Sequence, residues 1–238
     1  MAKRISVCIP TYNGAKYIKK QLETILSQLS VEDEVVISDD SSTDETLSII
    51  KSINDNRIRI LAQNEFHSPI FNLENALKAA SGDYIFLADQ DDVWLDNKVE
   101  ELLKLLEENY LAISDCSVID ASGEIIEPSF FRKMQSGPGF WKNWKRNSYI
   151  GCCMAFRKEV LSFVLPFPRN IPMHDMWISL MVESKRLPIR FYAKPLMLYR
   201  RHGNNASTSS EPSNRTLWQK IHGRLILLWN VTKRNCIG

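Results

Sequence analysis

Hydrophobic spacing in the first half of the chain switches repeatedly between two periods. Ile5-Ser6-Val7-Cys8-Ile9 is a short apolar run stopped by Pro10, as expected of a buried strand. From Ala15 to Leu29 the apolar positions Ile18, Leu22, Ile25, Leu26 and Leu29 recur at helical spacing. Glu34 to Ser38, carrying Val35, Val36 and Ile37, predicts a second strand. Ser42 and Glu45 form a capping-box pair that would open a helix running through Ile53. Arg57 to Leu61 alternates charged and apolar residues and predicts a third strand. A helix from about Pro69 to Ala80 follows, its proline tolerated in the first turn. Asp83 to Ala88 predicts a fourth strand ending at Asp89. A helix from Asp96 to Glu108 and a strand from Leu111 to Ile119 complete this half.

Strands alternating with helices predict an α/β fold, a mostly parallel sheet flanked by helices on both faces. In such sheets ligands bind beyond the carboxyl ends of the strands. Two carboxylate clusters fall at such ends: Asp39-Asp40 after the second strand, and Asp89, Asp91 and Asp92 after the fourth. The second half is less regular. Pro128 to Asn147, rich in glycine, proline and aromatics, reads as a long loop. Ser148 to Phe156 is a mixed apolar stretch leading to a short helix from Lys158. Asp175 to Ser184 reads as helical, Ile189 to Tyr199 as extended, and Arg200 to Ser213 as a polar loop. A separate helical segment occupies 214–238.

Composition adds that the chain is globular. Its 238 residues are 44% hydrophobic and 24% charged, enough apolar material for a core. A net charge of +2 gives no pull toward nucleic acid. The five cysteines show no zinc-like spacing and are expected to be buried thiols in a reducing, cytoplasmic setting. The three Asn-X-Ser/Thr sequons then carry no glycan. The first apolar run ends at Pro10, too soon for a signal peptide or a membrane span. From Asn214 onward, five basic residues occur with no acid: Arg215, Lys220, Arg224, Lys233 and Arg234. Leu217, Trp218, Ile221, Leu225, Leu228 and Trp229 form an apolar stripe on the same helix. Two readings stand beside each other here. The helix docks on its own domain or a second subunit, making a homodimer, or it lies in the interface of an anionic membrane. Lys220 and Arg224 interrupt the run too often for a transmembrane span.

Candidate chemistry begins with Asp89-Gln90-Asp91-Asp92. Three carboxylates this close repel, and persist when solvated or neutralised by a cation. A divalent ion there would also stabilise charge on a departing nucleoside diphosphate. The bland alternative is an acidic loop capping the helix near Asp96. A calcium loop fails, because Val93 and Trp94 stand where an Asp or Asn and a glycine are needed. An apolar strand followed by Asp-x-Asp also resembles the haloacid-dehalogenase-like phosphatase motif, with Asp89 as nucleophile and Asp91 as acid. That motif usually ends the first strand of its fold, and here three strands precede it. A carboxylate at Asp39 or Asp40 would accept the imide proton of a uracil or thymine ring, with turn chemistry as the alternative. Asp175, after His174, is a helix cap or a catalyst; His202 is a ligand or simply solvated.

Together these residues resemble family-two inverting glycosyltransferases. The likeness runs through Pro10-Thr11-Tyr12-Asn13, Asp39-Asp40-Ser41-Ser42-Thr43-Asp44, Gly82-Asp83-Tyr84-Ile85 and Asp89-Gln90-Asp91-Asp92-Val93-Trp94. It continues through Gly151-Cys152-Cys153-Met154-Ala155-Phe156, His174-Asp175-Met176-Trp177 and Tyr199-Arg200-Arg201-His202-Gly203-Asn204-Asn205. It covers roughly Ile5 to Ser207 and looks most like the bacterial rhamnosyltransferase-like branch, which builds surface polysaccharides. The resemblance implies a nucleotide-diphospho-sugar transferase (GT-A, Rossmann-like) architecture over 1–213. Its donor-binding half would span about 1–119 and its acceptor-side half about 120–213. It implies a dTDP- or UDP-sugar donor, dTDP-rhamnose among them, and a glycan or lipid-linked glycan acceptor. Pro10, Thr11, Asn13, Asp39, Asp40, Asp89 and Gln90 would then face the donor. Asp91, with His202, would hold Mn²⁺ or Mg²⁺, and Asp175 would be the general base. Trp94, Cys152, His174 and Trp177 would fall toward the acceptor. One departure is Ser41, which stands where the family commonly has glycine, in a turn that serine is expected to tolerate. A phosphatase, and a nucleotide-sugar binder without catalysis, remain the alternatives.

Overall fold

The computed structural model describes residues 4–203 and 217–237. Nine strands form one sheet, in the order β3-β2-β1-β4-β8-β6-β9-β5, with β7 pairing β6 beside that path. The first four are β1 (Ile5–Thr11), β2 (Glu34–Asp39), β3 (Ile58–Leu61) and β4 (Tyr84–Leu87), joined in parallel. Helices α1 (Ile18–Leu26), α2 (Thr46–Ser52) and α3 (Pro69–Ala79) make the crossovers between them. β4 is buried along its whole length, and β1 along all but Pro10. Hence both sequences are continuous apolar runs rather than alternating ones.

Chain direction along the sheet reverses between β1 and β4. The crossovers from β1 to β2 to β3 step one way, and α3 carries the chain back past β1 to β4. Right-handed crossovers of opposite direction put their helices on opposite faces and open a crevice at the strand ends. Pro10 and Thr11 end β1 at that crevice, and Asp89 lies just past β4.

Beyond β4 the sheet is mixed. β8 (Met154–Arg157) runs antiparallel between β4 and β6 (Leu111–Ile119), and β9 (Ile189–Arg200) lies parallel to β6. β5 (Val93–Trp94) closes the far edge antiparallel to β9, placing the chain just after the acidic cluster against the end of β9. β7 (Ile125–Glu127) folds back on β6 through a turn held by Asp120, whose Oδ1 accepts four N–H and O–H groups of residues 122–124. Neither β5 nor β7 was expected, since two- and three-residue strands carry no periodicity. Helix α4 (Lys98–Leu106) is shorter at both ends than its pattern.

Two local expectations are corrected. The span 128–147 is not one loop: it holds α5 (Phe130–Met134), capped by Ser129, and α6 (Phe140–Lys145). Each is too short for a helical period to stand out. Ser42 does not cap α2 either. Its hydroxyl donates to Asp39 Oδ2, and the helix starts later, where Asp44 Oδ1 accepts the Thr46 N–H and hydroxyl.

A four-residue helix, α7 (Leu161–Val164), precedes α8 (His174–Ser184). α8 is buried from His174 to Val182, as expected of a helix apolar on nearly all sides. Its Trp177 is wholly enclosed, and its indole N–H donates to the Val164 carbonyl. A last helix, α9 (Leu217–Ile237), packs on α6 and α8 through Leu227 and Val231. Among the described residues no helix is long and apolar enough to cross a membrane. Most of the expected polar loop at 200–213, including Asn204 and Asn205, lies outside the described residues, as does Arg215; of Lys220 only the backbone is described.

Candidate active site

A cleft of about 420 Å³ opens at the crevice between β1 and β4. It is lined by Pro10, Thr11 and Tyr12 from the end of β1, Asp40 past β2, and Ser68, Pro69 and Asn72 at the start of α3. Asp89, Gln90 and Asp91 past β4, Met173 and His174 at the start of α8, Tyr199 on β9, and His67 before α3 complete it. Its size suits a nucleotide-sized ligand.

The carboxylates at the end of β2 divide their work. Asp39 is fully buried and committed inward: its Oδ2 accepts the Thr11 and Ser42 hydroxyls and its Oδ1 accepts the Ser42 N–H. It does not line the cleft. Asp40 does, while accepting the Phe66 and Ser68 N–H groups at 2.6 and 3.2 Å. Asn13 also turns away, its Oδ1 accepting the Thr43 N–H. Between these segments Ser41 adopts φ +59°, the left-handed region that favours glycine. Its hydroxyl donates to the Asn64 carbonyl at 2.6 Å, a bond glycine would lack.

Gln90 ties the two central strand ends together. Its Oε1 accepts the Tyr12 N–H at 2.9 Å and its Nε2 donates to the Tyr12 carbonyl at 3.0 Å. Gly14 makes room for that clamp, since a Cβ there would lie 2.3 Å from Gln90 Oε1.

The acidic cluster is crowded and poorly solvated. Burial, then the charge of Asp91, pushes the Asp89 carboxyl up to about 7. Burial, then Asp91 and Asp89, pushes Asp92 well above the carboxylate range. Burial also raises Asp91, against the pull of His202. Asp91 Oδ2 and His202 Nε2 meet at 2.7 Å, and the His202 ring stacks on Tyr17 at 5.2 Å. Arg200 sits above this pair: its N–H donates to Asp92 Oδ1, its Nε to the Asp91 carbonyl, and its guanidinium covers Tyr17.

Two donor groups here suit a cation. Asp91 and His202 present an oxygen and a nitrogen at nearly the ~3 Å spacing of adjacent ligands on one small ion. Asp89, Asp92 and Cys152 also bring one donor atom each within 4.8 Å of one another. Asp92 Oδ2 is buried without a hydrogen-bond partner. Of the two groups the first fits hard oxygen-loving ions better, because a thiol is a soft ligand. The repulsion within the cluster is what an added positive charge would relieve.

Asp175 lies in the first turn of α8, not at its cap, which is Met173. Burial pushes its carboxyl up to about 6, opposed by the Met176 N–H, which donates to Oδ1 at 2.6 Å, and by Asn147. Asp175 is near enough to Asp89 for its charge to add to the upward push there. His174 faces the cleft; burial lowers it to about 4, and its Nδ1 has no partner. Gly151 fits against this ring, since a Cβ there would come within 2.4 Å of Nε2.

Trp94 and Trp177 lie in the core rather than on the cleft. Trp94 packs on Phe86 and under the buried Lys98, whose ammonium donates to the Cys152 carbonyl at 2.9 Å. Cys152 itself is buried behind Asp89 and Asp92. Tyr12, Tyr17, Ser68, Asn72, Tyr199 and Arg200 complete the site without having been singled out. Tyr12, Tyr199 and Arg200 lie inside the family motifs, beside carboxylates and histidines whose chemistry is plainer in sequence.

A parallel βαβ half, a crevice at its strand switch and an Asp-x-Asp segment inside that crevice define a nucleotide-sugar transferase of the GT-A kind. Residues 6–165 match the family described as Glycosyl transferase family 2, and the chain belongs to that family. The phosphatase alternative falls with that match. The chain is 30% identical over 211 residues to the dTDP-rhamnosyl transferase RfbG of Shigella flexneri, covering 82% of this chain and 72% of that protein. It is 30% identical over 199 residues to the GalNAc(5)-diNAcBac-PP-undecaprenol beta-1,3-glucosyltransferase of Campylobacter jejuni. That match covers 82% of this chain but only 58% of the relative. Among solved structures, S. aureus TarS in complex with UDP-GlcNAc superposes with a TM-score of 0.72 at 18% identity. It covers 95% of this chain and 67% of the solved TarS segment 1-349. The mannosyltransferase PcManGT of Pyrobaculum calidifontis, solved with GDP-Man and Mn²⁺, gives a TM-score of 0.62 at 19% identity, covering 98% of this chain and 65% of the other.

Proposed function

We propose that the chain is a metal-dependent inverting glycosyltransferase of bacterial surface-glycan synthesis. It would move a sugar from a dTDP- or UDP-linked donor, dTDP-rhamnose among them, to a hydroxyl of a glycan or lipid-linked glycan. The carrying observation is a buried carboxyl at Asp175, raised to about 6 and standing beside a cleft edged by Asp89 and Asp91. An acceptor hydroxyl is a poor nucleophile at neutral pH and needs a positioned base, which supplies ~10²–10⁴-fold. A base near 6 is ionised at pH 7 and still basic enough to accept the proton.

The step is a single displacement. The acceptor oxygen bonds to the anomeric carbon from the face opposite the diphosphate, Asp175 takes the hydroxyl proton, and the C1–O bond to the diphosphate breaks. One carboxylate suffices, in contrast to the two that flank a hydrolysed glycosidic bond. Asp40 accepts the imide N–H of the base, using the lone pairs left after Phe66 and Ser68. Asp91 and His202 would hold the cation, which would supply positive charge to neutralise the leaving diphosphate. Gln90 fixes the distance between the two strand ends that grip the donor. Buried free thiols at Cys8, Cys116, Cys152 and Cys153 support a cytoplasmic setting, where thiols stay reduced. The dTDP-sugar and undecaprenol substrates in the relatives' names support the donor and the lipid-linked acceptor.

Thermal shift against a panel of nucleoside diphosphates and nucleotide sugars, with Mn²⁺, with Mg²⁺ and with chelator, tests the donor half. Metal-dependent stabilisation by the uridine or thymidine series is expected. No shift with any member overturns the reading, and a shift without transfer to any acceptor leaves a binder in place of an enzyme.

A further inference from the structure

We infer that the outer face of α9, together with α6, is a docking surface for an anionic lipid bilayer. This goes beyond the catalytic reading and does not depend on it. At about 100° per residue, Trp218, Ile221, Leu225 and Trp229 fall within roughly 80° of the helix circumference. They are exposed apolar residues, at 81%, 37%, 54% and 68%. Leu227 and Val231, buried on the opposite side, dock on the domain, and Arg234 beside them donates to the Phe163, Leu165 and Pro166 carbonyls. α9 therefore buries one apolar face and presents a second, with two tryptophans spread along about 17 Å of helix. Packing on the domain accounts for the first face and leaves the second unexplained. A contiguous exposed apolar stripe of this kind marks an interaction surface.

The charge beside the stripe selects the occupant. α6 joins α9 through the Trp144 indole N–H, which donates to the Arg224 carbonyl at 2.9 Å. Trp141, 65% exposed, packs edge-on against Trp144 at 5.8 Å and adds a third outward indole. Lys142, Lys145, Arg146 and Arg224 line one concave patch at this junction, and Lys233 is exposed further along α9. No acid occurs between Pro128 and Lys158, nor anywhere in 217–237. Glu183 of α8, the carboxylate packed beneath α6, is turned inward, accepting from Gly139 N–H and the Tyr149 hydroxyl. Tryptophans beside a cluster of cations are what a headgroup region accepts, the indoles entering the interface and the cations meeting lipid phosphates. A second copy of this chain would bring the same cations against each other, so self-association is the weaker match.

Co-sedimentation with vesicles of phosphatidylcholine alone, and of phosphatidylcholine with one-third phosphatidylglycerol, tests this on the full chain. The expected result is binding to the anionic vesicles only, weakening as salt rises. The double variants Trp218→Ala/Trp229→Ala and Lys142→Glu/Lys145→Glu should each reduce binding at least about tenfold, since each interfacial cation alone contributes about fivefold. Both variants should keep the wild-type melting temperature, because the replaced side chains face outward. Failure to bind anionic vesicles overturns the proposal, as does equal binding to both kinds or binding indifferent to both variants. So does a dimer in sedimentation velocity that Trp218→Ala/Trp229→Ala dissolves, which would give the stripe to a second copy.

Discussion

Replacing Asp175 by asparagine should destroy transfer and stabilise the protein at once. The two effects share one origin, a carboxylate held in a site that does not solvate it. Raising this carboxyl from 3.8 to about 6 costs the folded state about 3 kcal/mol at pH values above both. The sign follows from proton binding. Between pH 4 and 6 the folded protein holds a proton that the unfolded chain has released, so stability falls as pH rises through this window. Above about 6 the full penalty is present. Asparagine carries no charge at any pH and keeps an oxygen to accept the Met176 N–H. Asp175→Asn should therefore melt at the wild-type temperature near pH 4. At pH 8 it should melt higher by roughly 6–12 °C, taking 2–4 °C per kcal/mol for a chain of this size. Transfer, followed as nucleoside diphosphate released in the presence of acceptor, should fall ~10²–10⁴-fold with donor affinity unchanged. In the wild type kcat/KM should rise with pH, half-maximal near 6, and the variant should lack that limb. Wild-type transfer by Asp175→Asn would refute the base. An unchanged melting temperature at pH 8 would refute the burial penalty.

Asp91→Ala should abolish metal-dependent stabilisation by the nucleoside diphosphate and lower transfer by ~10² or more. Asp92→Asn should retain both, because that buried carboxyl is already pushed toward its neutral form and asparagine still accepts the Arg200 N–H. Asp40→Asn should weaken uridine or thymidine diphosphate by about 10- to 100-fold in calorimetry, the loss expected of a hydrogen bond to a charged group. Gly151→Ala should lower stability by about 1–3 kcal/mol in urea unfolding, since its methyl group would press on His174 in a packed region.

The first half of the chain was legible because its signals are local. An apolar run such as Val7-Cys8-Ile9 is buried on both faces, and strand ends carry carboxylates, so β1 to β4 and the site rim follow from spacing alone. What stayed hidden depends on pairing across long sequence distances. β5 is two residues long and exists only because β9 runs beside it. Asp39 and Asp40 are chemically alike in sequence, and only the fold separates them: Thr11 and Ser42 claim one, and the cleft claims the other. Ser41 looked harmless in place of glycine, yet its backbone is left-handed, and the bond to Asn64 is a compensation no spacing rule contains. The stripe on α9 was visible in the sequence, but which side of the helix would be covered was not. Leu227 and Val231, outside the expected stripe, make the contact.

The place of β8 in the sheet bears on how such proteins can diversify. β8 comes from the second half of the chain, yet it is stitched between β4 and β6 of the first. Cutting at 119–120 would strip β4 and β6 of a shared neighbour and leave both with raw hydrogen-bonding edges. The halves are therefore not independent modules, and a relative's second half joined at that point must bring a β8 that pairs with both strands. New specificities have to be written in place. The excursion from the end of β7 through α6 is where the frame tolerates rewriting, since it leaves the sheet after β7 and returns to it at β8.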